Sequence, residues 1–175
     1  MKPADVASSL KKKFGNGIKD VRIEKKISRA KKDYATYRLW LTADRKIFRD
    51  AVRHLCSKYP DPHFSACSGY DTGKSIELIY HFTLNYATRL SEFTVSIKVS
   101  LPKSNPVVPT ITDLIPGALI AEREMQEMLG VKIEVIPDTR RLFLDKTFPT
   151  DVYPWRRDEK GPQKLVRNLN EEGKP

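Results

Sequence analysis

Apolar positions open the chain at steps of four: Val6, Leu10 and Phe14 are separated by polar residues and lysines, with Gly15 as a stop. That spacing predicts an amphipathic helix from Pro3 to Phe14 whose stripe needs a core to cover. From Ile18 to Thr42 the rhythm becomes near alternation (Val21, Ile23; Tyr34, Tyr37, Leu39, Leu41), which predicts a strand pair joined by a charged turn at Ser28 to Asp33. Lys25, Lys26, Arg29, Lys31 and Lys32 gather around that turn. Thr42 or Asp44 can cap a second helix that carries Ile47, Phe48, Ala51, Val52 and Leu55 on one face and stops before Pro60.

Three strands are predicted next, at His63 to Ser68, Ser75 to Asn85 and Glu92 to Leu101. Asp71-Thr72-Gly73-Lys74 makes a turn between the first two, and Tyr86 to Ser91 closes a hairpin between the second and third. Pro102 to Pro109 reads as a polar, proline-rich loop that forbids regular pairing. A third helix is expected from Asp113 to Leu129, bent near Pro116-Gly117 and stopped by Gly130, followed by a strand at Val131 to Ile136. Beyond Pro137 the chain offers at most a short turn of helix. Its last stretch carries Pro149, Pro154, Pro162 and Pro175 with too few apolar residues for a core of its own, so it is expected to be disordered or laid across another protein. The order α-β-β-α-β-β-β-α-β predicts an α+β domain over 1–144, with helices on a mixed or antiparallel sheet and an extended interaction tail over 145–175. No internal repeat is evident.

With 175 residues, 39% hydrophobic and 31% charged, the chain can bury one core. No run approaches the roughly 18 apolar residues of a membrane span, and the start lacks the apolar stretch of a secretory signal. Cys56 and Cys67 are spaced unlike redox or metal motifs, which points to a reducing compartment. The net charge of +10 is unevenly spread: residues 1–58 hold 17 Lys and Arg against 6 Asp and Glu, whereas residues 59–175 hold 15 against 16. A basic face of this kind suits nucleic acid, anionic lipid headgroups or an acidic partner protein, or is a solvated lysine-rich surface.

Candidate chemistry is sparse. Glu122 shares a helical stripe with Ala118, Ala121, Met125 and Leu129, so its carboxylate needs a cation or several hydrogen bonds, and Arg140 or Arg141 is the expected partner. A general acid or base at Glu122 would lack a nucleophile, a histidine or a second inward carboxylate. His54, Cys56, His63 and Cys67 lie close in sequence, but His54 and Cys56 diverge on a helix, so neither a zinc site nor a Cys-His nucleophile is predicted. Gly15-Asn16-Gly17 lacks the rest of a phosphate loop. Lys11-Lys12-Lys13 reads as the wet face of a helix, and Tyr34 and Tyr37 fall on opposite faces of a strand rather than forming an RNA-stacking platform. In the tail, Tyr153-Pro154-Trp155-Arg156-Arg157-Asp158 has the aromatic and guanidinium content of an interface hot spot. No catalytic, cofactor or metal residue is therefore predicted. The site is expected to be an interface of ion pairs built from Glu122, Arg123, Glu124, Arg140, Arg141 and the strip 153–158. A free-standing basic nucleic-acid-binding module is the alternative, and steep salt dependence would mark it.

The ordered segments Thr112-Asp113-Leu114-Ile115-Pro116-Gly117-Ala118, Glu122-Arg123-Glu124 with Glu127-Met128-Leu129-Gly130, Pro137 to Leu142, and Pro154-Trp155-Arg156-Arg157-Asp158 resemble the 30 kDa subunit family of respiratory complex I. That family also occurs in related membrane-bound hydrogenases. Its pattern has Asp where Glu127 stands, an aromatic where Leu129 stands and a Trp before the Glu-Arg-Glu, where this chain has Ile120 and Ala121. The departures suggest a divergent branch, of the archaeal, thermophile type with a ferredoxin-linked membrane-bound hydrogenase or an allied complex. The resemblance implies a peripheral subunit on the cytoplasmic face of the membrane that binds no cofactor itself. It further implies, as partners, an iron-sulfur-cluster subunit and a large hydrogenase-like subunit, the latter with a NiFe centre where the complex is a hydrogenase, and ferredoxin nearby.

Overall fold

The computed structural model describes residues 2–29, 33–86, 88 and 90–166. Helix α1 (Pro3–Phe14) leads into β1 (Ile18–Arg29) and β2 (Asp33–Ala43), then α2 (Phe48–Lys58). Strands β3 (His63–Asp71), β4 (Ser75–Leu84) and β5 (Phe93–Pro102) follow. The short β6 (Val107–Pro109), α3 (Leu119–Leu129) and β7 (Lys132–Glu134) complete the domain. Positions 30–32 of the charged turn, 87 and 89 of the second hairpin and 167–175 of the tail lie outside the described residues.

The chain is α+β, as the pattern predicts. Five strands form a mixed sheet in the order β1-β2-β5-β4-β3, with β2 parallel to β5 and the other pairs antiparallel. Strict alternation on β4 puts Ile76, Leu78, Tyr80, Phe82 and Leu84 in the core, and Val95, Ile97, Val99 and Leu101 of β5 join them. Val6 and Leu10 of α1, Phe48, Val52 and Leu55 of α2, and Met125 and Leu129 of α3 pack into the same cluster. Each fully buried side chain of this size contributes roughly 1.5–3 kcal/mol. Helix α3 approaches β3 at Gly69, where a Cβ would stand 2.5 Å from the Met125 sulfur.

Three expectations need correcting. The Pro102–Pro109 segment does pair: β6 lies parallel to β7, with Val108 opposite Ile133. Proline lacks a donor but keeps its acceptor, and the Pro106 carbonyl accepts the Lys132 N–H at 2.8 Å. Helix α2 begins at Phe48 rather than beyond a Thr42 or Asp44 cap, because the Asp44 carboxylate is held by Lys19 at 2.7 Å and a turn intervenes. The third helix is interrupted: Pro116–Ala118 is a 3-10 turn and α3 proper starts at Leu119.

Candidate subunit-docking site

Glu122 sits in the first turn of α3 and is completely buried. Its partner is neither Arg140 nor Arg141, which corrects the pairing expected from sequence. The carboxylate accepts the Ile111 N–H at 3.0 Å, the Thr110 hydroxyl at 2.5 Å and the Tyr80 hydroxyl at 3.4 Å. Glu122 points to the side of α3 that meets Tyr80 of β4 and the residues after β6, whereas its neighbour Arg123 points to the side along which Arg140 and Arg141 run. Burial raises the Glu122 pKa, and the Thr110, Ile111 and Tyr80 bonds offset part of that rise. On the far side of Thr110 lies a groove of about 590 Å³ lined by Arg49, Asp113, Pro116, Leu119 and Val135 among others. Both Arg49 Nη atoms are engaged by Asp113 at 2.6 Å, and the buried Glu122 is not among the residues that line the groove.

Arg123 does meet the 140s, but through backbone: its guanidinium donates to the Arg140 carbonyl at 2.7 and 2.9 Å and to the Arg141 carbonyl at 3.2 Å. Arg140 itself is 84% exposed and closes on Asp138 at 2.8 Å. Arg141 donates to the carbonyls of Asp145 and Phe148 at 2.8 and 2.7 Å, tying 141 to the following loop. Glu124 is half-buried and makes no hydrogen bond or ion pair among the described residues. The residue that sequence reasoning misses is Glu127, whose carboxylate accepts the N–H groups of Leu142, Phe143 and Leu144 at 3.0, 2.8 and 2.6 Å. Its burial favours the neutral form, yet those three donors outweigh it and hold the pKa below the ordinary glutamate value. The sequence signal is its place one turn and a half beyond Glu122, still on a helix with a mostly buried side.

The strip 153–158 folds back on its own domain. Gly130 caps α3 in the left-handed conformation (φ 69°), and a Cβ there would fall 2.5 Å from the Tyr153 ring, so glycine meets both the backbone demand and the ring. The Trp155 N–H donates to the Met128 carbonyl at 2.9 Å, extending the cap. Arg156 turns inward: its side chain is 4% exposed, its Nε lies 3.1 Å from Asp158 Oδ2 and 3.7 Å from Asp71 Oδ2. Lys103 completes the cluster at 2.8 Å from Asp71 and 2.9 Å from Asp158. Asp71, read from sequence as a turn residue, accepts the Gly73 N–H at 2.7 Å in that role and also the Arg157 N–H at 2.8 Å. Burial pushes the Asp71 pKa up, but Lys103 and the two N–H donors outweigh it and leave the group lowered. Arg156 holds Asp158 well below the usual carboxylate range. Two carboxylates and two cations thus clamp the end of β3, the end of β5 and the tail. Tyr153, Arg156 and Asp158 face in and Pro154 is half-buried, while Trp155 and Arg157 face out.

The histidines and cysteines take separate places. His54 bonds Ser9 at 2.8 Å, His63 stacks on Tyr86, and Cys67 is buried. Among the described residues no three His, Cys, Asp or Glu groups gather as a metal site, and no helix is long and apolar enough to cross a membrane.

Residues 41–164 match the model of the respiratory-chain NADH dehydrogenase 30 kDa subunit family. The chain belongs to this family. Membrane-bound hydrogenase subunit beta of Pyrococcus furiosus is 34% identical over 93% of this chain and 90% of its own length. Formate hydrogenlyase subunit 5 of Escherichia coli is 31% identical over 45% of this chain, but the match is only 14% of that longer protein. A chain of the membrane-bound sulfane sulfur reductase, an archaeal respiratory membrane complex, shares the fold over 98% of this chain and 89% of its own, with a TM-score of 0.64 at 19% identity. Membership of the 30 kDa subunit family makes this chain a peripheral subunit of a complex-I-related membrane complex, and the clamped strip lies within the matched segment.

Proposed function

We propose that this chain is a non-catalytic brace in the peripheral arm of a ferredoxin-linked, membrane-bound hydrogenase or an allied complex, on the cytoplasmic face of the membrane. It docks the iron-sulfur subunit against the large hydrogenase-like subunit, and those partners carry the clusters and any NiFe centre. Electron transfer between clusters falls steeply with distance, so the chemistry this chain contributes is rigidity. The observation that carries the reading is the division of the 153–158 strip. A buried four-charge clamp fixes its backbone, and the same clamp turns Trp155 and Arg157 outward as a preorganised aromatic and guanidinium pair. Similarity to a subunit of a membrane-bound hydrogenase over nearly its whole length supports the setting.

The test is a tagged chain expressed in its own cell, with Trp155→Ala and Arg157→Ala combined. Both side chains are exposed, so the domain should melt at the wild-type temperature while companion subunits recovered with it fall at least tenfold. Full recovery of the companions with a correctly folded double variant would refute the docking role.

A further inference from the structure

Strand β2 pairs with β5 only from Tyr37 onward, yet its pairing with β1 continues to Arg29 opposite Asp33. The outer part of β1 and β2 is therefore a two-stranded ribbon reaching past the sheet, a form marginally stable in water unless something covers it. Alternation places Ile23, Lys25 and Ile27 on one face, opposite Leu39, Tyr37 and Ala35. Leu39 on that face is fully buried, but Ile23 is 43% and Ile27 55% exposed. On the core face the edge strand thus carries two exposed aliphatic side chains, Ile23 and Ile27, with Lys25 between them.

Its charges are equally unmatched. Glu24, the nearest carboxylate on β1, is taken by Arg22 at 2.9 Å and by the Trp40 indole N–H at 3.0 Å. Lys25, Lys26 and Arg38 have no carboxylate partner among the described residues. We propose that this edge strand and the ribbon beyond it are a docking arm for an acidic protein partner: Ile23 and Ile27 enter an apolar groove, Lys25 between them pairs with a carboxylate of the same groove, and Lys26 and Arg38 present their charge to carboxylates on the other face. Charge complementarity selects the acidic partner. Aliphatic knobs give a base nothing to stack on, and Tyr37 is half-buried, so an RNA strand fits the arm less well. The inference rests on the chain being one subunit among several, and it assigns a second contact, far in sequence from the 153–158 strip.

Zero-length carbodiimide cross-linking of the complex, purified through this chain at low salt, tests it, because the reagent joins an ammonium group only to a carboxylate it touches. The expected result is an amide between Lys25 or Lys26 and an Asp or Glu of another polypeptide. Lys25→Glu with Lys26→Glu should lower recovery of that polypeptide about tenfold at low ionic strength, while Lys25→Arg with Lys26→Arg retains it. Ile27→Ser should weaken recovery without changing its salt dependence. Companions that co-purify while the ribbon lysines link only within their own chain overturn the arm and leave the brace standing. A chain that co-purifies with nothing overturns both. Tight binding of the purified chain to phosphatidylglycerol vesicles or to a short RNA, abolished by the same double reversal, also overturns it.

Discussion

Replacing Arg156 with methionine keeps most of the buried stem and deletes the guanidinium, whose side chain is 4% exposed in the wild type. The clamp then has one ammonium, Lys103, for two carboxylates, Asp71 and Asp158. Removing one partner of a buried ion pair costs about 3–5 kcal/mol. The lower end applies, since Lys103 and Asp158 keep 17% and 16% of their side-chain exposure. About 3 kcal/mol is on the order of a hundredfold in an equilibrium. The penalty falls on opening of the strip rather than on global unfolding, because opening alone carries Asp158 into water and leaves Asp71 to Lys103. Hydrogen exchange reads this directly at the Trp155 N–H, bonded to the Met128 carbonyl, and the Arg157 N–H, bonded to Asp71. Both should lose about a hundredfold in protection while β4 and β5 amides keep theirs. Unchanged strip amides, or loss spread evenly across the sheet, would show that the clamp does not hold the strip.

The same clamp predicts a pH effect of definite sign. Asp71 and Asp158 have folded pKa values below their ordinary ones. Their contribution is present above the unfolded aspartate value of about 3.9 and is lost as pH falls through the folded values. Wild-type strip protection should fall on acidification below about pH 4, ahead of the core, and Arg156→Met should flatten that dependence.

Glu122→Leu removes the acceptor of the buried Ile111 N–H and Tyr80 hydroxyl and leaves the Thr110 hydroxyl only Thr112, and should cost about 3 kcal/mol in urea unfolding; Glu122→Gln, which still accepts and donates, should cost under about 1 kcal/mol at pH 7. Because the folded pKa of Glu122 is raised, its contribution is full below about pH 4 and declines as pH rises, and the Gln variant should lack that slope. Gly130→Ala should lose about 1 kcal/mol to its positive φ plus a further cost from the Tyr153 ring; the second part should vanish in a Tyr153→Ala background, measured as a double-mutant cycle. Glu127→Ala frees three backbone donors, and limited trypsin digestion should then cut at Arg140 and Arg141 markedly faster than in the wild type, with the core intact.

The layout of the fold is legible wherever one periodicity runs long enough. Helix α1 occupies the span its four-residue apolar spacing marks, and β4 and β5 follow their alternation to within two residues. Strand β6 is not legible, since it is three residues long and takes its register from β7, more than twenty residues further on. The start of α2 is obscured for another reason: Asp44 is a good cap by type, but its carboxylate is spent on Lys19, a partner that only the β1 register supplies. Glu122 is legible as a buried carboxylate needing partners, but the identity of those partners is not.

The partners of Arg123, Glu127 and Arg141 are hidden from the sequence for one physical reason. Residues 138–149 have almost no ladder or helix bonds of their own, so their N–H and C=O groups must be satisfied some other way. Glu127 takes three successive N–H groups, while Arg123 and Arg141 together take the carbonyls of Arg140, Arg141, Asp145, Phe148 and Pro149. Charged side chains here stand in for secondary structure, and their pairing with each other is confined to Asp138 with Arg123 and Arg140. A sequence shows the alternation of Glu and Arg but not the hunger of the neighbouring backbone, and salt bridges are the natural misreading. The consequence is that α3 itself shapes the loop, so Phe143, 60% exposed, is presented from a backbone whose N–H is bonded to Glu127. Such display lowers the ordering cost of association, which the proposed role as a brace would require.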